Sequence, residues 1–318
     1  MAQRQGRITL WELEVFVATA EEASLSAAAR RLDTSAATVS QQLTNLERDL
    51  GAVLLNRAER PVTLTPQGET FLRRANAILG EADQARAELG GDAPLSRLRL
   101  GMIEDFDAEV TPRLLSDMAE ALSSTRFLLE TGASHRLYDQ LEARALDVIV
   151  ATEMGPEAEW HEVHPLLDEP FVIAAPKGFA EGRPSLRLLR ELPHIQYTTR
   201  HHLGRTLAAH LARQNLTFSQ RFELDSYHAI LAMVARGAGW TILTPLGWNH
   251  AHRFRQSVEI LPLPGRPLSR RITLTARRGM LGDRPAEMAG RLRSLMSELV
   301  VEPMVRETPW LSDTLVLP

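Results

Sequence analysis

Ala37, Gln41, Thr44, Asn45 and Arg48 recur at spacings that place them on one face of a short helix, with Ser40 at its border. Val39, Leu43 and Leu46, four and three apart, form the opposite stripe, and that periodicity predicts burial. The chemistry open to the outer face is readout of duplex DNA in the major groove. Small side chains let the backbone approach closely, and an amide can pair with base edges. No acid precedes Glu47 in this helix to repel phosphate.

Two arginines further on extend the same surface. Residues 51–64, GAVLLNRAERPVTL, read as a strand, a turn and a second strand, the wing of a winged helix-turn-helix. Arg60, at the turn, is placed to meet the DNA backbone or minor groove. Arg57 either does the same or serves as a structural ion-pair residue. The charge balance runs mildly against DNA binding: the chain carries a net −4, and residues 1–64 hold seven arginines against eight acids. Placement answers the objection. Arg30, Arg31, Arg48, Arg57 and Arg60 lie in or beside the motif, whereas Glu12, Glu14, Glu21 and Glu22 belong to the helix before it.

Other chemistries are poorly supplied. Zero cysteines exclude disulfides, thiolate metal sites and a cysteine nucleophile. His161 with His164, and His201 with His202, lack a carboxylate at a convincing ligand spacing, so no metal site is expected. The chain has no G-x-S-x-G elbow, Walker lysine or G-x-G-x-x-G loop, and its single lysine, Lys177, precedes a glycine. An enzyme and a resident cofactor are therefore not expected. No apolar run is long enough to cross a bilayer and MAQRQGRITL has no secretory core, so no membrane partner and a cytoplasmic location are expected.

The elements that must position the candidate face follow from local signals. Thr9-Leu10-Trp11-Glu12 is a capping box opening a helix with Leu10, Leu13, Phe16, Val17 and Ala20 on its apolar side. Ala28, Ala29 and Leu32 face inward on a second short helix; Asp33 and Thr34 turn the chain, and Ser35 caps the recognition helix. Thr65-Pro66 starts a long helix reaching about Leu89. Along it Phe71, Ala75, Ile78, Ala82, Ala85 and Leu89 keep a four-three spacing suited to a dimer seam, or to packing on the chain's own domain. Gly90-Gly91-Asp92-Ala93-Pro94 should end that helix in a hinge. From Leu95 strands alternate with helices, among them helices at 109–122 and 134–144, which predicts a parallel sheet with crossover helices. At 318 residues two or three domains fit. The expected division is 1–64 for the winged helix-turn-helix, 65–91 for the linker helix and hinge, and 95–300 for an α/β region. Its first lobe would comprise about 95–168 and 269–300 and its second about 169–268, with a patternless tail at 301–318.

Taken in order, Ala28-Ala29-x-x-Leu32, Val39-Ser40, Leu46-Glu47-x-x-Leu50-Gly51, Leu54-Leu55-x-Arg57 and Leu64-Thr65-x-x-Gly68 resemble the LysR-type transcriptional regulators. Leu146-Asp147 and Gly237-Ala238-Gly239 leading into Leu243-Thr244-Pro245 add weaker matches, and the resemblance runs from about Ile8 to Leu299. It implies a winged helix-turn-helix, a long linker helix and a two-lobed periplasmic-binding-protein-like α/β effector domain. It further implies a homodimer or homotetramer on promoter DNA, contact with RNA polymerase, and a small-molecule effector. Base contacts implied by the resemblance fall on Ser35, Ala36, Ala37, Ser40 and Gln41. Ala36-Ala37 and Gln41 replace side chains with longer polar reach common there, leaving Gln41 as the direct reader, with adenine as its match. Arg144 stands where glycine is common.

The implied effector contacts are Ile103, Glu104, Asp105 and Phe106 after the first strand, Gly132 to His135 at a helix start, Tyr197 to Arg200, and Ser226, Tyr227 and Thr244. Independently, helix N-termini offer free amides, and a serine or threonine there can orient a ligand carboxylate, with Ser134 the first candidate and Thr198 the next. Glu104, Asp105 and Asp107 either meet a cation or cap the next helix, with capping expected for at least two of them. Arg200, His201 and His202 across the cleft argue for an anion, so the ligand's charge stays open. The rival function is a cytoplasmic solute-binding or sensor protein with an N-terminal interaction domain.

Overall fold

The computed structural model describes residues 7–88, 97–123, 125–179 and 186–318. The chain divides into one compact unit of residues 1–94 with 140–146 and a second of 95–139 with 147–318. The expected hinge at 90–94, with Leu89, lies outside the described residues.

In the first unit, α1 (Leu10–Glu22) begins at the expected capping box: Thr9 Oγ1 accepts from Glu12 N, and Glu12 Oε2 accepts from Thr9 N at 2.8 Å. Ser24 caps α2 (Leu25–Arg31), and Ser35 Oγ accepts from Thr38 N at 3.0 Å to cap α3 (Ala36–Leu50). Gly51 ends α3 at φ 65°, a left-handed conformation that glycine adopts without a Cβ penalty. Strands β1 (Leu55–Asn56) and β2 (Thr63–Leu64) pair antiparallel as the wing. Helix α4 (Pro66–Glu88) follows, with Thr65 Oγ1 accepting from Gly68 N. Gly68 is demanded sterically, since a Cβ there would lie 2.0 Å from Leu54 O.

Leu13, Phe16, Ala28, Val39, Leu43, Leu46 and Leu54 make the core of this unit. Leu10 does not join it, because it sits in the first turn and is exposed. The long-helix seam also divides. Phe71 and Ala75 pack on the unit's own core, with the Phe71 ring 5.3 Å from that of Phe16, while Ile78 remains exposed. Its first part therefore follows the intramolecular alternative.

The second unit contains β3 (Arg97–Met102), α5 (Val110–Ala121), β4 (Arg126–Thr131), residues 134–139 of α6 (Ser134–Glu142), β5 (Val148–Thr152), β6 (His161–Pro170) and β7 (Val172–Pro176). Next come β8 (His194–Tyr197), α7 (His202–Arg213), β9 (Gln220–Leu224), α8 (Tyr227–Ala235), β10 (Thr241–Leu243) and α9 (Pro245–His250). It closes with β11 (Val258–Pro262), β12 (Ser269–Arg277), α10 (Arg284–Met296) and α11 (Glu302–Glu307). One lobe is a five-stranded sheet in the order β4-β3-β5-β12-β6. The other holds the sheet β10-β7-β11 and the parallel pair β8-β9, joined by a bridge between His194 and Trp240.

The five-stranded sheet is mixed and β10-β7-β11 is wholly antiparallel, which corrects the expectation of a parallel sheet. β3 pairs parallel with β4 and β5, but β12 runs antiparallel to both β5 and β6, because the chain returns from the second lobe. The tail is structured as well. Val316 exchanges two backbone hydrogen bonds with Asp168, and Leu311 and Leu315 are buried. Two motif positions gain physical reasons. Arg144 has φ 58°, the left-handed region that favours glycine. Asp147 accepts from Arg99 N at 2.8 Å and from the Arg99 guanidinium, tying the start of β5 to β3.

Candidate DNA interface and ligand cleft

Val39, Leu43 and Leu46 are 0–1% exposed, so the opposite face of α3 is turned outward by their burial. Ser35, Ala36, Ala37, Gln41 and Thr44 are exposed and Ser40 is half-buried. Gln41 Nε2 donates to Asn45 Oδ1 at 3.0 Å, one turn on, which orients the amide along the helix. Thr44 Oγ1 donates to Ser40 O at 2.9 Å.

Arg57 is committed within the protein. Its guanidinium pairs with Glu47 Oε2 and donates to Thr44 Oγ1 at 3.0 Å and Ser40 O at 3.4 Å. The structural alternative for Arg57 thus has a geometry: it binds the wing to α3. Glu47 is the hub, a role that sequence reasoning missed. Its Oε1 also accepts from Leu54 N at 2.8 Å and Leu55 N at 3.2 Å. The signal was present in the acid's position on α3 beside the hydrophobic stripe. Arg60 is exposed at the wing turn. Arg31 is held by Glu21 and Glu22.

In the second unit, segments from both lobes enclose a cavity of about 370 Å³. Chain ends after β3 and β4, the starts of α6, α7 and α8, and the start of β12 meet there, the usual ligand position at the carboxyl edge of an α/β sheet. Of the expected contacts, Ile103, Glu104, Asp105, Ser134, His135, Tyr197 and Tyr227 line it. Phe106, Thr198, Arg200, Ser226 and Thr244 do not. Phe106 is 1% exposed and points into the core. Thr198 Oγ1 donates to Glu223 at 2.8 Å, and Arg200 Nε turns back to Thr198 Oγ1. Thr244 caps α9 and accepts from Arg270, and Ser226 lies at the N-cap of α8 without a side-chain cap.

Arg270 was not foreseen, and it organises the floor. Nε donates to Glu169 Oε1 at 2.6 Å, Nη1 to Thr152 Oγ1 at 3.3 Å and Nη2 to Thr244 Oγ1 at 3.1 Å. Asp105 Oδ1 lies 3.4 Å from Nη2. Burial opposes the guanidinium charge, but Glu169 and Asp105 outweigh it and hold Arg270 protonated. Asp225 and Phe171 also line the cavity unforeseen. Nothing local in the sequence marks these residues, which three-dimensional folding brings together from distant segments.

The capping expectation for the acidic loop is not met: the residue at the α5 N-cap is Glu109, without a side-chain cap, and Asp107 Oδ1 instead accepts from Thr131 Oγ1 at 3.1 Å. Glu104 stays accessible at the cavity, yet its pKa is pushed up to about 7, first by partial withdrawal from water and then by Asp105, Asp107 and Asp225. Burial, followed by neighbouring positive groups, lowers the pKa values of His201 and His202. Ser134 Oγ accepts from Thr152 N at 3.1 Å, so its proton is left to point elsewhere. Among the described residues, no group of three or more histidines, cysteines and carboxylates is placed to hold a metal ion.

Comparison with known proteins gives two family matches. Residues 10–69 match the model of a bacterial regulatory helix-turn-helix protein, lysR family, and residues 91–296 that of the LysR substrate binding domain. A probable hydrogen peroxide-inducible genes activator of Mycobacterium xenopi is 35% identical over 180 residues, 56% of this chain and 95% of that protein. The DNA-binding transcriptional dual regulator OxyR of Escherichia coli is 27% identical over 292 residues, 90% of this chain and 95% of that protein. A full-length OxyR cysteine variant from Pseudomonas aeruginosa shares the fold with TM-score 0.69 and 24% identity, covering 90% of this chain and 95% of that one.

Proposed function

This chain belongs to the LysR-type DNA-binding transcriptional regulators, and from that premise we propose that it switches promoter binding when a small molecule occupies the cavity between its two α/β lobes. The observation carrying the sensing half is the cavity itself, walled by polar side chains from both lobes, so that a ligand there would touch Asp105 and Ser134 on one side and Tyr197 and Asp225 on the other. A ligand that contacts both lobes favours one lobe arrangement over others by its differential affinity. The reading includes a homodimer or homotetramer, engagement of RNA polymerase at the promoter and action in the cytoplasm without a resident cofactor or catalysis. Among the described residues, no helix is long and apolar enough to cross a membrane.

Peroxide is the signal named for several relatives. Peroxide signalling through sulfur begins at a thiolate, and this chain has no cysteine. Its response therefore runs through ligand binding and not through a disulfide or sulfenic acid. The test is a thermal-shift screen of metabolites on the full chain, since a ligand of the folded state raises its stability, followed by DNA titration with each hit. A hit that changes DNA affinity supports the reading. A response to peroxide alone, with no metabolite hit, would replace it.

A further inference from the structure

We propose that the cleft's ligand is a small organic cation: an ammonium or guanidinium group on a short apolar body, seated against Asp105, Glu104 and Asp225. The proposal rests on the sensing role above and gives it a chemical class.

Charge inside the cavity is the first support. Arg270 and Arg271 both line it, but each is already paired with a carboxylate. Arg270 is held by Glu169 and Asp105, and Arg271 by Asp168 through bonds of 2.7 and 2.8 Å. Glu169 and Asp168 are not themselves lining residues, so acids from behind the wall neutralise both arginines. The lining carboxylates Glu104 and Asp225 have no ion-pair partner among the described residues, and both face the cavity. A ligand carboxylate would meet this excess of negative charge; an ammonium would relieve it.

Asp105, which shares Arg270 with Glu169, is the second support. Its side chain is 4% exposed, it lines the cavity, and Oδ1 accepts no hydrogen bond. A buried carboxylate oxygen without a donor is costly. Arg270 Nη2 stands 3.4 Å away and directs its hydrogen bond to Thr244 instead. Oδ1 itself is sealed against Arg270, so a ligand cation would meet Asp105 through its cavity-lining atoms and its charge.

The walls fit the rest of such a molecule. Tyr197 and Tyr227 lie with ring centroids 5.3 Å apart, and Phe171 adds a third ring. Aromatic faces attract a cation and cover the carbon body attached to it. His201 and His202 are shifted toward their neutral forms and add little positive charge near pH 7. The Ser134 hydroxyl proton, not used on Thr152 N, suits an acceptor oxygen elsewhere on the ligand.

The test is calorimetric titration of the full chain with two matched sets: putrescine, 1,4-butanediol and succinate; and tyramine, tyrosol and 4-hydroxyphenylacetate. The expected result is an amine that binds below about 1 mM and at least about tenfold more tightly than its neutral and anionic partners. Asp225→Asn should weaken that amine by about fivefold or more. Asp105→Asn should do so too, while the more exposed Asp225 position guards against a folding defect in that buried variant. Tighter binding of a carboxylate than of its matched amine overturns the assignment but leaves ligand sensing standing. So does an amine whose affinity ignores both substitutions. Binding by neither amine also overturns it, and the metabolite screen then decides separately whether the cleft senses anything.

Discussion

Removing the Glu47 side chain isolates the link between recognition helix and wing. Oε1 accepts from the amides of Leu54 and Leu55, residues only 2% and 3% exposed, and Oε2 holds Arg57. Glu47→Ala leaves both amides short of an acceptor and the guanidinium unpaired. Hydrogen bonds to a charged group contribute roughly 1.5–3 kcal/mol each, and water entering beside the 15%-exposed carboxylate recovers part of that, so the net loss is put at about 3 kcal/mol. The loss should be local, because Val39, Leu43 and Leu46 keep α3 packed without Glu47. Amide hydrogen exchange measures it directly: protection at Leu54 and Leu55 should fall by about 100-fold, since 1.4 kcal/mol is tenfold. Glu47→Gln, which keeps an acceptor oxygen but loses the charge, should cost about 1 kcal/mol. Protection at both amides unchanged in the alanine variant would refute the reasoning, since the wing would then be held by something other than this carboxylate.

Further outcomes follow from the same geometry. Arg60→Ala should lower the slope of log affinity against log salt by about one without changing stability, whereas Arg57→Ala should destabilise the wing and leave the slope nearly unchanged; the reverse pattern in a salt titration would exchange their roles. Ser134→Ala should remove the ligand's effect on DNA binding, checked by titrating DNA with and without the ligand found by screening, and an unaltered response would take Ser134 out of the site. Glu104, with a folded-state value of about 7 against an ordinary 4.5, is protonated below that pH, so amine affinity should rise as pH increases through about 7. The charged and titratable groups around it are Asp105, Asp107, Glu153, Asp225, His135, His201, His202, Tyr197, Tyr227, Arg270, Arg271 and, beside Asp107, His250. Protonation of His201 and His202 at lower pH opposes a cation in the same direction. By the same linkage Glu104 favours the folded state less as pH rises from about 4.5 to about 7, because the folded protein holds the proton more tightly. Affinity that is flat from pH 6 to 8 would contradict its part in binding.

The sequence discloses local physics well. Val39, Leu43 and Leu46 announce their stripe by period, and Thr9 with Glu12, Ser24 and Ser35 announce helix starts by chemistry that acts within four residues. Both the DNA face and the wing follow from that. Long-range pairing is what stays hidden. β6, HEVHPLLDEP, carries two prolines and five charged or histidine positions that obscure a strand, yet it finds its partner in β12. The tail shows no period because its fixing contact is a backbone exchange between Val316 and Asp168, which side-chain type does not encode. The cleft was half legible. Loops that follow β3 and precede α6 could be placed from strand-helix alternation, but Arg270 and Asp225 enter from the far lobe and the return strand. With Arg270 unseen, the neutralisation of positive charge could not be inferred, and the sign of the ligand stayed open.

Gln41→Ala provides the sharpest measurement of whether α3 reads DNA sequence. Genomic duplexes that the full chain retains are selected, and wild type and variant are titrated on the most enriched duplex and on a shuffled one. Loss of a base-reading amide should weaken binding to the enriched duplex by about 1–3 kcal/mol while leaving the shuffled duplex unaffected. Equal loss on both duplexes, or no loss on either, would contradict the claim that the exposed face of this helix carries recognition.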